Sequence, residues 1–488
     1  MHHRNATTKL LGHLLEPKLK DTSRIYKGKD IKQDIYTDLN IYISYKQAWR
    51  SKNVALESIS GCLESSFAQL PYYCYNLKRT NDGTVTHIET DNEDRFKIIF
   101  IAFGVVIRSF KYHMRLLIII DAAHLKGIYE GTNLLAVGMD GNNQIIPIPT
   151  GVSQGETGPS WTWFLSKLKE CIGEIPDLTI ISDRHAAILS SCEAVFPNAF
   201  HGYCCRHLMM NCKLKSIKMQ CLFWKLCKAY SVDEFRMAIN ELQAKRPDVY
   251  QRLIEAGVER WSRAYCTHDR YNYMTSNSAE SINNLTRDVR KAPITNLMEW
   301  YRQLVQKWYC ERRERYKDGP LDELSPWATE KMRKRMQKSI NWVVVGIETR
   351  KVYEVDDHRR VEAAELCNDC NGLAKRWFMR TALKGTYQEL VYPVGEVSSW
   401  QIPNNLPVVK PPVMSKPAGR PKSTKRIRSQ GEEPVTVRCG RCGARGHNRQ
   451  GCRESIAYTK ERTYPRGSSQ QAEDYFQQSM PWSFSQLG

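Results

Sequence analysis

The chain has 488 residues, with 72 Lys and Arg against 52 Asp and Glu, a formal net charge of +20 and a pI of ≈ 9.2. That length allows two or three domains with buried cores, and the charge favours a polyanionic partner, nucleic acid ahead of a membrane surface, although a soluble protein with a basic surface has the same sum. The 16 cysteines are scattered through helical or core-like segments, which argues against a short secreted disulfide scaffold; no apolar stretch approaches the ~20 residues of a membrane helix, and MHHRNATTKLLGHLLEP lacks a signal-peptide core, so reduced thiols in a nuclear or cytosolic compartment are expected.

Residues 1–115 read as a helical, polar-basic region. Its segment ISYKQAWRSKNVALESISG interleaves Trp49 with basic side chains at helical spacing, which fits an amphipathic helix packed on the next domain or a DNA-contacting helical module. Residues 116–208 alternate strand and helix patterns. LLIIID, TNLLAVGMD and IIPIPTGVS are three expected strands, punctuated by Gly127, Gly131 and the turn Asp140–Asn143. WTWFLSKLKECI (Trp161–Ile172) is an expected helix, LTIISD a fourth strand, AAILSSCEAVF a second helix and AFHGYCCRHL a fifth strand. Three consecutive strands followed by strand–helix alternation fit a mixed α/β sheet with helices on its faces. A helical, basic, Trp- and Tyr-containing insertion is expected at about 209–270, then helix from Asn277 to Val289 and through NLMEWYRQLVQKWYCERRERY. Residues 395–437, rich in Pro, Lys, Arg and Ser, read as an extended linker, 438–453 as a compact cysteine cluster and 454–488 as a disordered polar tail. There is no internal repeat.

Two of the expected strands end in a carboxylate. Asp121 closes RLLIIID and Asp183 closes LTIISD, while Glu280 stands in the later segment TSNSAES. Phosphodiester transfer requires stabilisation of attacking and leaving oxygens, which two Mg²⁺ ions ~4 Å apart provide when hard carboxylate oxygens hold them. Three carboxylates from different elements would suffice; helix caps and turn formers account for single strand-end aspartates equally well. Arg184 and His185, which follow Asp183, suit either phosphate contact or a solvated turn, and His124 lies near Asp121.

The words IIIDAAHLKGIYEGTNLLAVGMDGNNQIIPI, PSWTWFLSKLKE, TIISDRHAAI, VFPNAFHGYCCRHLMMN and SNSAESINN occur in the order and at the spacing of the Mutator-like (MULE) transposase domain, which the chain resembles from about residue 20 to 310 and again from about 375 to 453. The resemblance implies a ribonuclease H-like domain over 116–315 and a DDE triad falling on Asp121, Asp183 and Glu280, with Mg²⁺ or Mn²⁺ as cofactor. In the family's mechanism, activated water cuts at the element end and the freed 3′-hydroxyl attacks target DNA. The family's Cys-x-x-His signature falls on Cys204 and His207, as a structural or metal-adjacent motif, with a buried Cys and a capping His as the plain alternative. Where the family reads Asp-Gly-Thr, this chain reads Asp121-Ala122-Ala123, losing a glycine's conformational freedom and a hydroxyl.

Cys439, Cys442, His447 and Cys452 form C-x2-C-x4-H-x4-C, a donor set for tetrahedral Zn²⁺. Arg441, Arg445 and Arg449 would dress this zinc knuckle for single-stranded nucleic acid, protein contact being the other reading. Upstream, Gly419-Arg420-Pro421 with Lys422, Lys425 and Arg426 suits an A·T-rich minor groove, or else a basic linker or nuclear-import signal at Lys422–Arg428. Full-length relatives carry a SWIM zinc finger where this chain has Cys367 and Cys370 without a following Cys-x-His. Residues 316–394 are therefore expected to be a helical remnant of that region, and the N-terminal DNA-binding part is expected to be truncated, with no cysteine before Cys62. Two functions follow from the resemblance: a DDE transposase acting on terminal inverted repeats and target DNA, as a homo-oligomer, or a catalytically degenerate or domesticated relative serving as a nuclear DNA-binding regulator. An RNA-binding protein using only the knuckle leaves the strand-end aspartates unexplained.

Overall fold

The computed structural model describes residues 6–20, 26, 28–60, 63–126, 129–340, 342–348, 352–356, 361–365 and 375–413. All lie in the first of two units into which the chain divides, Met1–Ser415; the second is Lys416–Gly488. At the N-terminus, α1 (Thr8–Lys20), α2 (Gly28–Leu39) and α3 (Tyr45–Ser60) bury Leu11, Leu15, Ile31, Ile35, Ala48 and Ala55 in a core of their own. These apolar residues recur at helical spacing, so each helix has one face to hide. Gly12 is required where α1 meets α3, because a Cβ there would come within 2.7 Å of Val54 Cγ1. In α3, Trp49 stays outside this core, 54% exposed. α4 (Leu63–Thr80) instead buries Phe67, Leu70, Tyr73 and Leu77 against the sheet that follows.

That sheet comprises β1 (Val85–Thr90), β2 (Phe96–Ala102), β3 (Leu117–His124), β4 (Thr132–Met139), β5 (Ile145–Ser153), β6 (Thr179–Ser182) and β7 (Phe200–Tyr203), with α5 (Gly104–His113), α6 (Gly158–Ile172) and α7 (Ala186–Val195) between them. The spatial order is β1-β2-β5-β4-β3-β6-β7. Pairing is antiparallel from β1 across to β3 and parallel from β3 to β6 and β7. Short turns suffice for the antiparallel β3–β4–β5 run, whereas α6 and α7 supply the crossovers that parallel neighbours need. The mixed α/β expectation is met, but the sheet starts earlier than the sequence pattern suggests. β1 and β2 lie inside the supposedly helical 1–115 stretch, because a seven-residue apolar run such as FKIIFIA carries no period that separates strand from buried helix. The fifth strand is also shorter than AFHGYCCRHL, since the chain turns helical at Cys205.

From there α8 (Cys205–Asn211), α9 (Ile217–Lys228), α10 (Val232–Lys245), α11 (Pro247–Glu255) and α12 (Val258–Trp261) surround a second core around Phe223, Leu226, Leu242, Leu253 and Trp261. The chain then returns to the sheet as α13 (Asn277–Leu285) and α14 (Ile294–Arg315), the latter burying Leu297, Met298, Tyr301, Val305 and Tyr309. The expected helical remnant at 316–394 is not all helix. It holds α15 (Pro326–Ser339) and α16 (Arg380–Thr386), but also an antiparallel sheet of β8 (Val343–Glu348), β9 (Val352–Asp356) and β10 (Val361–Glu365), the first two of which, VVVGIE and VYEVD, carry the β-branched and aromatic residues that favour strand. The first part of the expected linker is likewise fastened down. Phe96 N–H donates to Lys410 O (2.9 Å), Lys410 N–H donates to Asp94 O (2.8 Å), and Val409 is buried. Among the described residues no helix is long and apolar enough to cross a membrane.

One buried carboxylate ties these layers together. Asp140, at the β4–β5 turn, accepts the N–H groups of Asn142 (2.9 Å) and Gln144 (2.6 Å) and the Tyr387 hydroxyl (2.6 Å), and Arg312 donates to that same hydroxyl oxygen (3.0 Å). Burial pushes the Asp140 carboxyl up, while Arg312 and the hydrogen bonds oppose that. Asp140→Ala would strand a buried Arg312 and Tyr387, so a loss of about 3–5 kcal/mol is expected in chemical denaturation. A loss below about 1 kcal/mol would show that the cluster does not cross-link the fold.

Candidate functional site

The parallel pairing of β3 with β6 matches Leu117 to Thr179, Ile118 to Ile180 and Ile119 to Ile181. The same offset, carried two residues further, sets Asp183 level with Asp121. Leu117–Ile120 are fully buried, so Asp121 is the first residue of β3 to emerge from the core. Asp121 remains within the ladder, opposite Leu135 of β4, while Asp183 lies one residue past β6 and accepts the His185 N–H at 3.0 Å. Ala122 and Ala123 continue the regular pairing, opposite Leu134 and Asn133, and neither has a positive φ. The glycine freedom missing from this chain is therefore not demanded at that position; only the hydroxyl is lost.

α13 lies against β3 and β4, burying Ala279 and Ile282, and this docking brings Glu280 and Asn283 to the strand ends. Asn283 Nδ2 donates to Asp121 Oδ2 at 2.9 Å, and Arg290 fixes the surroundings by donating to His124 O (2.7 Å) and Asn283 O (3.0 Å). Burial pushes the Asp121 carboxyl up to about 7; Asn283 and the Ala122 backbone oppose this, and the negative charges of Glu280 and Asp183 add to it. Asp183 and Glu280 are thus both close enough to act on Asp121. The His124 side chain is exposed, and Arg184 lies over the Tyr203 ring, 5.5 Å from its centroid.

Glu280 also faces α8. Its carboxylate accepts the Ser276 hydroxyl (3.3 Å) and lies 3.7 Å from both Arg206 Nη1 and His207 Nε2. Two backbone links hold this juxtaposition where the helical insertion begins and ends: Cys205 N–H donates to Met274 O (2.7 Å), and Ser276 N–H donates to the Cys204 sulfur (3.3 Å). Burial alone would raise the Cys204 thiol, but His207 and Ser276 outweigh it and hold the thiol below its usual range. The neighbouring sulfur raises His207 to about 9 against the opposing effect of burial, and Glu280 and Asp183 raise it further. Cys204 and His207 therefore stand at the site, beside Glu280. Arg206, Asn283 and Arg290 were missed from sequence; Asn283 alone had a signal, its place three residues after Glu280 on the same helical face.

Among the described residues no three His, Cys, Asp or Glu side chains are gathered closely enough to hold a metal ion. The donor chemistry nevertheless suits one. Asp121, Asp183 and Glu280 offer hard carboxylate oxygens, and Asn283 Oδ1, buried beside Asp121, has no hydrogen-bond partner. Cys439, Cys442, His447, Cys452, Arg441, Arg445 and Arg449 of the expected knuckle, and Arg420, Lys422, Lys425 and Arg426 before it, lie outside the described residues, as do Cys367 and Cys370.

Residues 117–211 match the family model of the MULE transposase domain. The chain carries a Mutator-like transposase domain. The matched stretch contains Asp121, Asp183, Cys204 and His207 and ends with α8, so Glu280 lies outside it and joins these residues through the folded return of the chain. No curated protein matches the chain.

The Asp121 environment has a pH signature. In the unfolded chain this carboxyl ionises near its ordinary value of 3.8, in the folded one near 7. Its contribution to stability is complete below about pH 4 and is lost as pH rises towards about 7, where the folded state must hold an unwelcome charge. Asp121→Asn should therefore make the metal-free protein more stable than wild type above about pH 7, by on the order of 1–3 kcal/mol, with the gain vanishing near pH 4. Thermal unfolding across that range would show it; parallel curves would mean that Asp121 is well solvated.

Proposed function

We propose that this transposase-related chain binds DNA and acts as a metal-dependent DDE transposase on a ribonuclease H-like sheet, with Asp121, Asp183 and Glu280 holding Mg²⁺ or Mn²⁺. The observation that carries the reading is the placement of Asp121, a buried carboxylate at the emergence of β3, in register with Asp183 past β6 and against α13, whose Asn283 bonds it and whose Glu280 adds to the raising of its carboxyl that burial begins. The mixed sheet, with β3 between an antiparallel and a parallel neighbour, supports the ribonuclease H-like assignment. When bound, the metal would stabilise charge on the attacking and leaving oxygens of a phosphodiester. The protein's own part is orientation. Asn283 sets one Asp121 oxygen, Ser276 one Glu280 oxygen, and Arg206 and His207 offer positive charge beside Glu280 where a phosphate approaches.

A second reading is a catalytically degenerate or domesticated relative acting as a nuclear DNA-binding regulator. It is favoured by the engagement of Glu280 with Arg206 and His207 and by the Thr hydroxyl missing at Ala123. The two readings separate in one assay: Mg²⁺- or Mn²⁺-dependent nicking and strand transfer on DNA carrying candidate terminal inverted repeats. Wild type is expected to cut, and Asp183→Ala to fall at least about 100-fold. Equal activity in both proteins, or none in either, rejects the enzyme.

We also propose that Cys439, Cys442, His447 and Cys452 bind Zn²⁺ as a nucleic-acid-binding knuckle, supported by ligand types and spacing. Metal analysis should find about one zinc per chain in wild type and none in Cys442→Ser. Unchanged zinc content would remove the assignment.

A further inference from the structure

From Arg206 to Ser231 the chain contains no acidic residue and five lysines, Lys213, Lys215, Lys218, Lys225 and Lys228. Lys213 and Lys215 precede α9, and the other three lie on it. On α9, Lys218, Cys221, Lys225 and Lys228 recur at helical spacing and form one outward stripe, while Leu222, Phe223, Leu226 and Cys227 turn the other face into the insertion's core. Among the described residues none of the five forms a salt bridge. Glu241 of α10 feels the charges of Lys218 and Lys225 but is bonded to Lys245. Other lysines of this protein are paired within their helices, as Lys307 is with Glu311 and Lys334 with Glu330. Aromatic rings lie among the unbalanced charges: Lys228 stands 5.4 Å from the Trp224 ring centroid, and Tyr230, 65% exposed, lies under Arg263 at 4.4 Å. At the other end, α8 begins beside Glu280, with Arg206 3.7 Å from the carboxylate, and α8 packs on α9.

We infer that the outward face of α8 and α9 is a track for the phosphate backbone of duplex DNA leading out of the carboxylate site. The inference rests on the DNA-processing reading above and adds the path that the DNA takes. α9 is about 18 Å long, roughly half a turn of duplex, over which a regular backbone meets several evenly spaced cations. Lysines that meet phosphate oxygens carry no sequence information, so the contact is independent of sequence.

The test uses the full chain with all five lysines changed to Gln, beside a control with Lys111, Lys307, Lys317, Lys331 and Lys334 changed to Gln and a Lys→Arg version of the five. Affinity for a fluorescent duplex is measured against salt concentration in EDTA, and nicking of a short oligonucleotide duplex separately in Mn²⁺. Each phosphate that the protein no longer neutralises lowers the slope of log affinity on log salt by about 0.9, so the five-Gln protein is expected to drop by about 2–4 in slope and at least about 10-fold in affinity. The Lys→Arg protein and the control should keep the wild-type slope. An unchanged slope in the five-Gln protein, or an equal fall in the control, overturns the track whether or not the protein nicks DNA. A fall confined to the five-Gln protein, with wild type failing to nick, sustains the track and removes the cleavage reading.

Discussion

The register between β3 and β6 is the constraint on which the site depends. Parallel strands paired with a constant offset carry side chains at matched heights, so an aspartate at the emergence of one strand and an aspartate just past the end of the next become neighbours. The four apolar residues before Asp121 hold that register by burial on both faces, because slipping β3 by one residue would draw Asp121 into the apolar core or push an apolar residue out of it. The same burial makes the placement costly, since a carboxylate at the rim of a dry core loses solvation and faces two others. Asn283 and the Ala122 backbone give back part of that loss, and the remainder appears as the raised Asp121 carboxyl.

What the sequence revealed follows how strongly each element announces itself. Leu117–Ile120 and Thr179–Ile181 are unbroken apolar runs, and α6 carries Trp161, Phe164, Leu165 and Leu168 on one face, so both kinds of element were readable. β1 was not. VTHIET lies at the edge of the sheet, half-exposed throughout, and lacks a buried face. The segment 395–413 looked like solvated linker because backbone hydrogen bonds to Asp94, Phe96 and Asn76 hold much of it, and such bonds leave no trace in side-chain composition. At the site, Asp121 and Asp183 could be reasoned from strand ends. Glu280 came only through a family motif, and its contacts with Arg206 and His207 join residues more than seventy positions apart in sequence.

Charged groups also organise the body far from the carboxylates. Arg115, just before β3, is wholly buried, with its guanidinium 4.7 Å from the Phe378 ring centroid, 5.0 Å from that of Trp327 and 5.9 Å from that of Tyr273. One side chain thus touches the start of the central strand, α15, the segment before α16 and the return from the insertion. Such cation–π contacts contribute on the order of 2 kcal/mol each when desolvated and, with the charge of Asp140 nearby, keep a buried cation tolerable. Together with the Asp140 cluster, this explains why the segment after α14 folds back over the sheet.

The way the insertion meets the sheet has a wider consequence. The chain leaves at Cys205 and comes back at Met274 with those two residues hydrogen-bonded to each other, so everything between is a detour that ends where it began. A detour of that kind transmits little of its own length to the carboxylates, and its closure entropy rises by only about 0.6 kcal/mol for each doubling. Lineages could therefore lengthen, shorten or exchange the helices between these points, and alter what they grip, while Glu280 keeps its address.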